Sequence, residues 1–146
     1  MDINYDRLWK RIHSLGKIGV DETGAITRWP FTKEDMLAKE WLKNEMIEAG
    51  LFVYEDNVGN IIGIYNPANS TESPVICGSH YDTVIHGGMF DGTLGLLSSL
   101  EVAQTLKENH VMLKRPFYVI GYKDEEGNRF SRGMIGSKDV YKRQQL

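Results

Sequence analysis

The chain has 146 residues, 41% hydrophobic and 25% charged, with a formal net charge of -3; that suffices for one globular domain with a buried core, or for part of a larger one. The charge balance lacks the basic surplus of a nucleic-acid-binding domain, the single cysteine, Cys77, excludes an internal disulfide framework, and no apolar run approaches the roughly 20 residues that span a bilayer. No nucleic-acid or membrane partner is expected, and the acidic, amphipathic N-terminus is unlike a signal peptide, so the reading is cytoplasmic.

In "INYDRLWKRIHSL", Tyr5, Leu8, Trp9, Ile12 and Leu15 recur at three- and four-residue spacings and predict a helix. The next segment, "FTKEDMLAKEWLKNEMIEAG", predicts a second, with Thr32 as N-cap, Glu34 and Asp35 in the first turn, an apolar face through Leu37, Trp41 and Ile47, and Gly50 as its stop. Both helices read as half exposed. The period then changes: "LFVYED" and "NIIGIYN" are short β-rich runs joined across "NVGN", a hairpin pattern.

"SPVICGSH" reads as a strand buried on both faces, with Cys77 a small buried hydrophobe inside it. Residues 94–106 are apolar almost all round, predicting a buried helix, and Phe117 to Tyr122 form the next strand. Strand, helix, strand in this order is a βαβ unit with parallel strands, so the fold class is α/β. In that topology His80 and the Glu125/Glu126 pair leave the sheet at its carboxyl edge, and Asp91 sits just before the intervening helix. All four converge on one crevice, where open α/β sheets place ligands. Gly87, Gly88 and Gly92 are expected to let the loop turn sharply there.

His80, Asp91 and Glu126 offer one imidazole and two carboxylates, a donor set suited to zinc, manganese, cobalt or nickel more than to calcium. Asp91 has two oxygens and can bridge two ions about 3.5 to 4 Å apart, an arrangement that activates a water between them. Glu125, beside a ligand but not needed as one, suits a general base. Asp82 is placed to accept the second imidazole N–H of His80 and fix its tautomer. Taken singly, "DEEGNR" is most often a solvated acidic turn, His80 a loop histidine and Asp91 a helix cap; their joint occurrence at one sheet edge carries the functional reading. His86 reads as lining the pocket mouth, His13 and His110 as surface positions, and Asn60, Arg129 and Phe130 as uninformative.

"GSHYDTVIHGGMFDGTLGLLSSLEV" and "YKDEEGNRFSRGMIGS" resemble the two N-terminal metal motifs of the amidase, hydantoinase and carbamoylase family, and "ITRWPFTKEDMLAKEWLKNEMIEAGL" and "EDNVGNIIG" are similar to its N-terminal region. The resemblance implies the N-terminal part of a mixed-sheet, metallopeptidase-like catalytic domain of the zinc aminopeptidase and phosphorylase-hydrolase type, truncated. It implies two divalent ions held through His80, Asp91 as bridge and Glu126, with Glu125 as base and a small ureido compound as substrate. It also implies a homodimeric full-length protein whose lid and dimerisation domain, further histidine ligands and substrate-binding arginine lie outside this sequence. Residues 1–138 then correspond to the N-terminal portion of the catalytic domain and 139–146 read as a non-native tail. The leading expectation is cleavage of a ureido C–N bond in allantoate or an N-carbamoyl amino acid, with residues 1–146 alone inactive and with Phe117, Val119 and Leu97 partly uncovered, because the elements expected to pack on the Phe117 to Tyr122 strand lie outside this sequence. A dipeptidase or aminoacylase of the same clan, and a non-catalytic metal-binding or interaction module, are the alternatives.

Overall fold

The computed structural model describes residues 1–130 and 132–143. Its elements are α1 (Tyr5–Gly16), α2 (Lys33–Glu48), β1 (Phe52–Glu55), β2 (Ile61–Tyr65), β3 (Val75–His80), α3 (Thr93–Glu108), β4 (Phe117–Tyr122) and α4 (Ile135–Arg143). Each of the first two helices starts where a side chain satisfies an otherwise orphaned N–H. Asn4 accepts from the Arg7 N–H at 2.9 Å, and Thr32 from the Asp35 N–H at 3.3 Å. Just past α2, Gly50 takes a φ of 77°, a left-handed conformation that any side chain would strain.

The four strands form one mixed sheet in the order β1-β2-β4-β3. β1 and β2 are the expected antiparallel hairpin, and β2 pairs antiparallel with β4. β3 and β4 pair parallel, from Val75↔Phe117 to His80↔Tyr122, so their carboxyl ends emerge side by side. Ile12 and Leu15 of α1, Ala38, Leu42 and Met46 of α2, and Leu96, Leu97 and Leu100 of α3 pack with Ile61, Tyr65, Phe117 and Val119 into one core. On the sheet's other face, Ile76 and Tyr122 line a groove with Val140 and Tyr141 of α4.

Several burial expectations are corrected. The buried face of α2 runs through Asp35, Ala38, Leu42 and Met46, while Leu37 and Ile47 are exposed. The helix carries two apolar stripes, and the one with small Ala38 lies against the sheet. In α1, Ile12 and Leu15 are buried but Tyr5 and Trp9 are exposed. β3 is an edge strand, not one buried on both faces, which leaves Val75 and Cys77 exposed. In α3, Leu94 and Val102 face outward. Phe117, Val119 and Leu97, expected to be partly uncovered in so short a chain, are buried, because β4 lies between β2 and β3 and α3 covers it. The expected tail is helical through Arg143, and residues 144–146 lie outside the described residues.

Charge fastens α1 to α3. Glu101 is fully buried on α3 and accepts from the Arg7 guanidinium at 2.7 and 2.8 Å, from Arg11 at 3.2 Å and from the Asn4 N–H at 2.9 Å. Burial pushes its pKa up, but the hydrogen bonds from Arg7 and Asn4 and the charges of Arg7 and Arg11 outweigh it, and the net direction is down. Because the unfolded chain then binds the proton more readily, this group's stabilisation is complete above the ordinary glutamate pKa of about 4.3 and is lost as pH falls through the depressed value. Glu101→Gln is expected to lower stability at neutral pH by about 1–3 kcal/mol, the usual effect of leaving buried donors underpaired. It should also flatten the acid limb, as urea unfolding of both proteins across pH 3 to 7 would record.

Candidate metal centre

The end of β3 and the loop after β4 build the site together. His80, the last residue of β3, is buried, and its Nδ1 lies 3.0 Å from the main-chain carbonyl of Asp82. A carbonyl only accepts, so Nδ1 carries the proton and Nε2 presents its lone pair outward. Nε2 faces the carboxylates, 3.8 Å from Asp91 Oδ1 and 3.7 Å from Glu125 Oε2. One ligand atom each from His80, Asp91 and Glu126 lies within 4.8 Å of the others.

The Asp82 carboxylate is not the hydrogen-bond partner of the imidazole expected from the sequence. Its Oδ1 stands 3.8 Å from Nδ1, while its two oxygens accept the backbone N–H groups of Glu125 and Glu126 at 3.2 Å each. The reason is geometric: the two N–H groups are adjacent and match a carboxylate's two oxygens, leaving the imidazole to the carbonyl of the same residue. Asp82, almost fully buried, therefore touches both halves of the site, with its main chain on His80 and its side chain on the Glu125–Glu126 backbone.

Of the three loop glycines, only Gly92 has a positive φ, 67°. A Cβ there would lie 2.5 Å from His80 Nε2 and Cε1, so the ring rests directly against the Gly92 backbone. Asp91 does not act as the cap of α3: the N-cap is Gly92, with no side-chain hydrogen bond, and the Asp91 side chain is 72% exposed and free to reach a ligand. The Glu126 pKa is raised, by burial first and then by Asp91, Glu125 and Asp82, with His80 opposing. Crowded carboxylates around one imidazole lone pair fit a divalent cation, which would offset the repulsion and engage the free nitrogen.

His86 stands apart, exposed at the loop and paired through Nδ1 with Asp21 at 3.0 Å. His110 is exposed, whereas His13, expected at the surface, is half-buried edge-on to Trp9. Reading the sequence missed the polar layer beneath the site. Lys123, buried at the end of β4, donates to Asp35 of α2 and lies 4.8 Å from the Phe31 ring centroid. Asn60 is fully buried, accepts the Lys123 N–H at 3.0 Å and donates to Asp56 and the Gly136 carbonyl. Asp124 is buried at a φ of 51°, and its pKa is raised by burial and by Asp82. Only the abrupt arrival of a lysine after an apolar strand hinted at any of this.

The sequence pattern of Peptidase family M28 matches residues 60–146. The chain belongs to that family. It is 47% identical over 136 residues to an N-carbamoyl-L-amino acid amidohydrolase of Geobacillus stearothermophilus, covering 93% of this chain and 33% of that one. It is 36% identical over 129 residues to an allantoate amidohydrolase of Bacillus subtilis, covering 88% and 31%. A crystal structure of a hydantoinase/carbamoylase family amidase from Burkholderia ambifaria superimposes with a TM-score of 0.89 at 34% identity, covering 93% and 34%. The mixed α/β fold is that of these amidases, and the chain spans about a third of the length of the curated relatives it matches.

Gly92→Ala should force the His80 ring from its seat. Cobalt titration followed by visible absorption is expected to show at least a tenfold weaker site than in the unsubstituted chain, the range over which disturbed ligand orientation usually acts. The Gly88→Ala control should bind as before, since a Cβ at Gly88 meets nothing within 4 Å.

Proposed function

We propose that this chain carries part of the catalytic centre of a metal-dependent amidohydrolase that cleaves a ureido C–N bond, in an N-carbamoyl amino acid or allantoate. The observation that carries the reading is the geometry at His80. A lone pair on Nε2 faces Asp91 and Glu126 within 4.8 Å, and a further carboxylate, Glu125, reaches 3.7 Å from the same nitrogen. In this reading His80 and Glu126 would each hold an ion, and Asp91, exposed and with two carboxylate oxygens, would be shared between them. Two divalent cations bound there would supply Lewis acidity toward the ureido carbonyl and lower the pKa of the attacking water.

Glu125 would take a proton from the water as its oxygen bonds to the ureido carbon and return it to the nitrogen as the C–N bond breaks. Its backbone N–H, fixed by Asp82 Oδ1, limits how far the carboxylate can swing from the crevice. Asp82 thereby positions both the base and the adjacent ligand. The relatives named for N-carbamoyl amino acids and allantoate support a ureido substrate over a peptide. Three ligands are fewer than two tightly held ions require, at about three protein ligands each, so hydrolysis is expected from a full-length polypeptide on the scale of the relatives and not from residues 1–146 alone.

The roles of the two glutamates separate experimentally. In a full-length protein, Glu125→Gln should abolish turnover of N-carbamoyl amino acids and allantoate while metal content stays at the level of the unsubstituted enzyme. Glu126→Gln should lose metal as well as activity. Equal metal loss in both would exchange or merge the roles, and turnover of dipeptides alone would move the substrate class to peptides.

A further inference from the structure

Arg28 stands between α1 and the loop that follows β3, and its side chain is fully buried. Its Nε donates to the Tyr81 carbonyl at 2.9 Å, and its Nη1 donates to the carbonyls of Leu15 and Ile18 at 3.0 Å each. Nη2 has no hydrogen-bond partner among the described residues, and Arg28 makes no ion pair among them. A buried guanidinium without a carboxylate against it is costly to keep and, as a stabilising device, inferior to a well-packed hydrophobe. What it does supply is a fixed fork of donors aimed at main-chain carbonyls.

The Arg28 backbone acts on the same segment. Its N–H donates to Thr83 Oγ1 at 2.9 Å, and its carbonyl accepts the Thr83 N–H at 3.1 Å. Peptide groups are rigid planes. The guanidinium holds the plane joining Tyr81 to Asp82 by its oxygen, and the Arg28 carbonyl holds the plane joining Asp82 to Thr83 by its nitrogen. With both flanking planes held, the backbone of Asp82 has little freedom left. That backbone points one carbonyl at His80 Nδ1 and carries the carboxylate that accepts from Glu125 and Glu126.

We propose that Arg28 is a positioning residue of the metal centre, holding both peptide planes of Asp82 and through them the His80 imidazole and the Glu125–Glu126 backbone. The inference rests on the metal reading of the site. Side-chain variants isolate one of the two holds, because the Arg28 main chain remains. Arg28→Met keeps apolar bulk and removes all three donations to carbonyls. Arg28→Lys keeps the charge but not the fork.

The test is cobalt titration of the 146-residue chain, read by visible absorption and calorimetry, together with the His80 imidazole resonances in nitrogen-15 spectra of the metal-free protein. Arg28→Met is expected to weaken cobalt binding at least tenfold, the usual effect of removing support from a ligand histidine, and to broaden or shift the Nδ1–H signal. Arg28→Lys should fall between it and the unsubstituted chain. Leu42→Ala, a core truncation on α2, serves as the stability control and should bind cobalt within twofold of the unsubstituted chain. If Arg28→Met does not fold, a fivefold or greater loss in Arg28→Lys supports the proposal. Affinity within twofold in the folded variant tested, or an equal loss in Leu42→Ala, overturns it. His80→Ala keeps the two ideas apart: loss of binding there with none in the Arg28 variants overturns the role of Arg28 alone, and unchanged binding there overturns the metal reading and the inference with it.

Discussion

The parallel pairing of β3 with β4 is the constraint from which the rest follows. Its register ends on His80↔Tyr122, so the chain leaves both strands at one level and in one direction. His80, Asp82, Glu125 and Glu126 lie within a few residues of those two exits. An antiparallel pairing would have sent the glutamates to the opposite end of the sheet. The crossover helix α3 enforces the parallel choice, because its apolar stripe of Leu96, Leu97 and Leu100 is buried only by returning over the sheet.

Polar anchors then convert a shared edge into a defined site. Asp82 connects the two exits, with its carbonyl on one and its carboxylate on the other. Below it, Lys123 and Asp35 link the end of β4 to the start of α2, and Asn60 ties β4 to the β1–β2 turn and to Gly136. Each such group is buried and would be unfavourable alone. Together they turn a loop region, which ordinarily wanders, into one held from several directions. Asp91 is the exception: it is exposed, so the site is anchored on the His80 side and open to solvent on the other.

Much of this was legible in the sequence, for identifiable reasons. Helix and strand periods located every element through β4, and the strand-helix-strand order alone placed His80, Asp91, Glu125 and Glu126 at one edge. What failed was burial and pairing. The choice between the two apolar stripes of α2 depends on which neighbour arrives, and the edge position of β3 depends on strand order; neither is a local property. The partner of His80 was misassigned because a short-range pattern, His-x-Asp, cannot say whether the carboxylate or the carbonyl of the aspartate faces the ring. Arg28, Asn60 and Lys123 carry no periodic signal, since their roles come from contacts made with residues far away in the sequence.

The two exits are separated in sequence by the whole of α3, and that separation governs how the site comes into being. The β1–β2 hairpin can close early, because its residues are neighbours along the chain, whereas β3 meets β4 only after the helix between them has folded back, a closure that carries the entropy of a long loop. The crevice is therefore complete only when β3 and β4 are paired, and absent from any state in which β4 is unpaired. A cation that engages residues from both exits recognises only the finished chain, so it contributes nothing to starting the fold and acts instead as a clasp that opposes its opening.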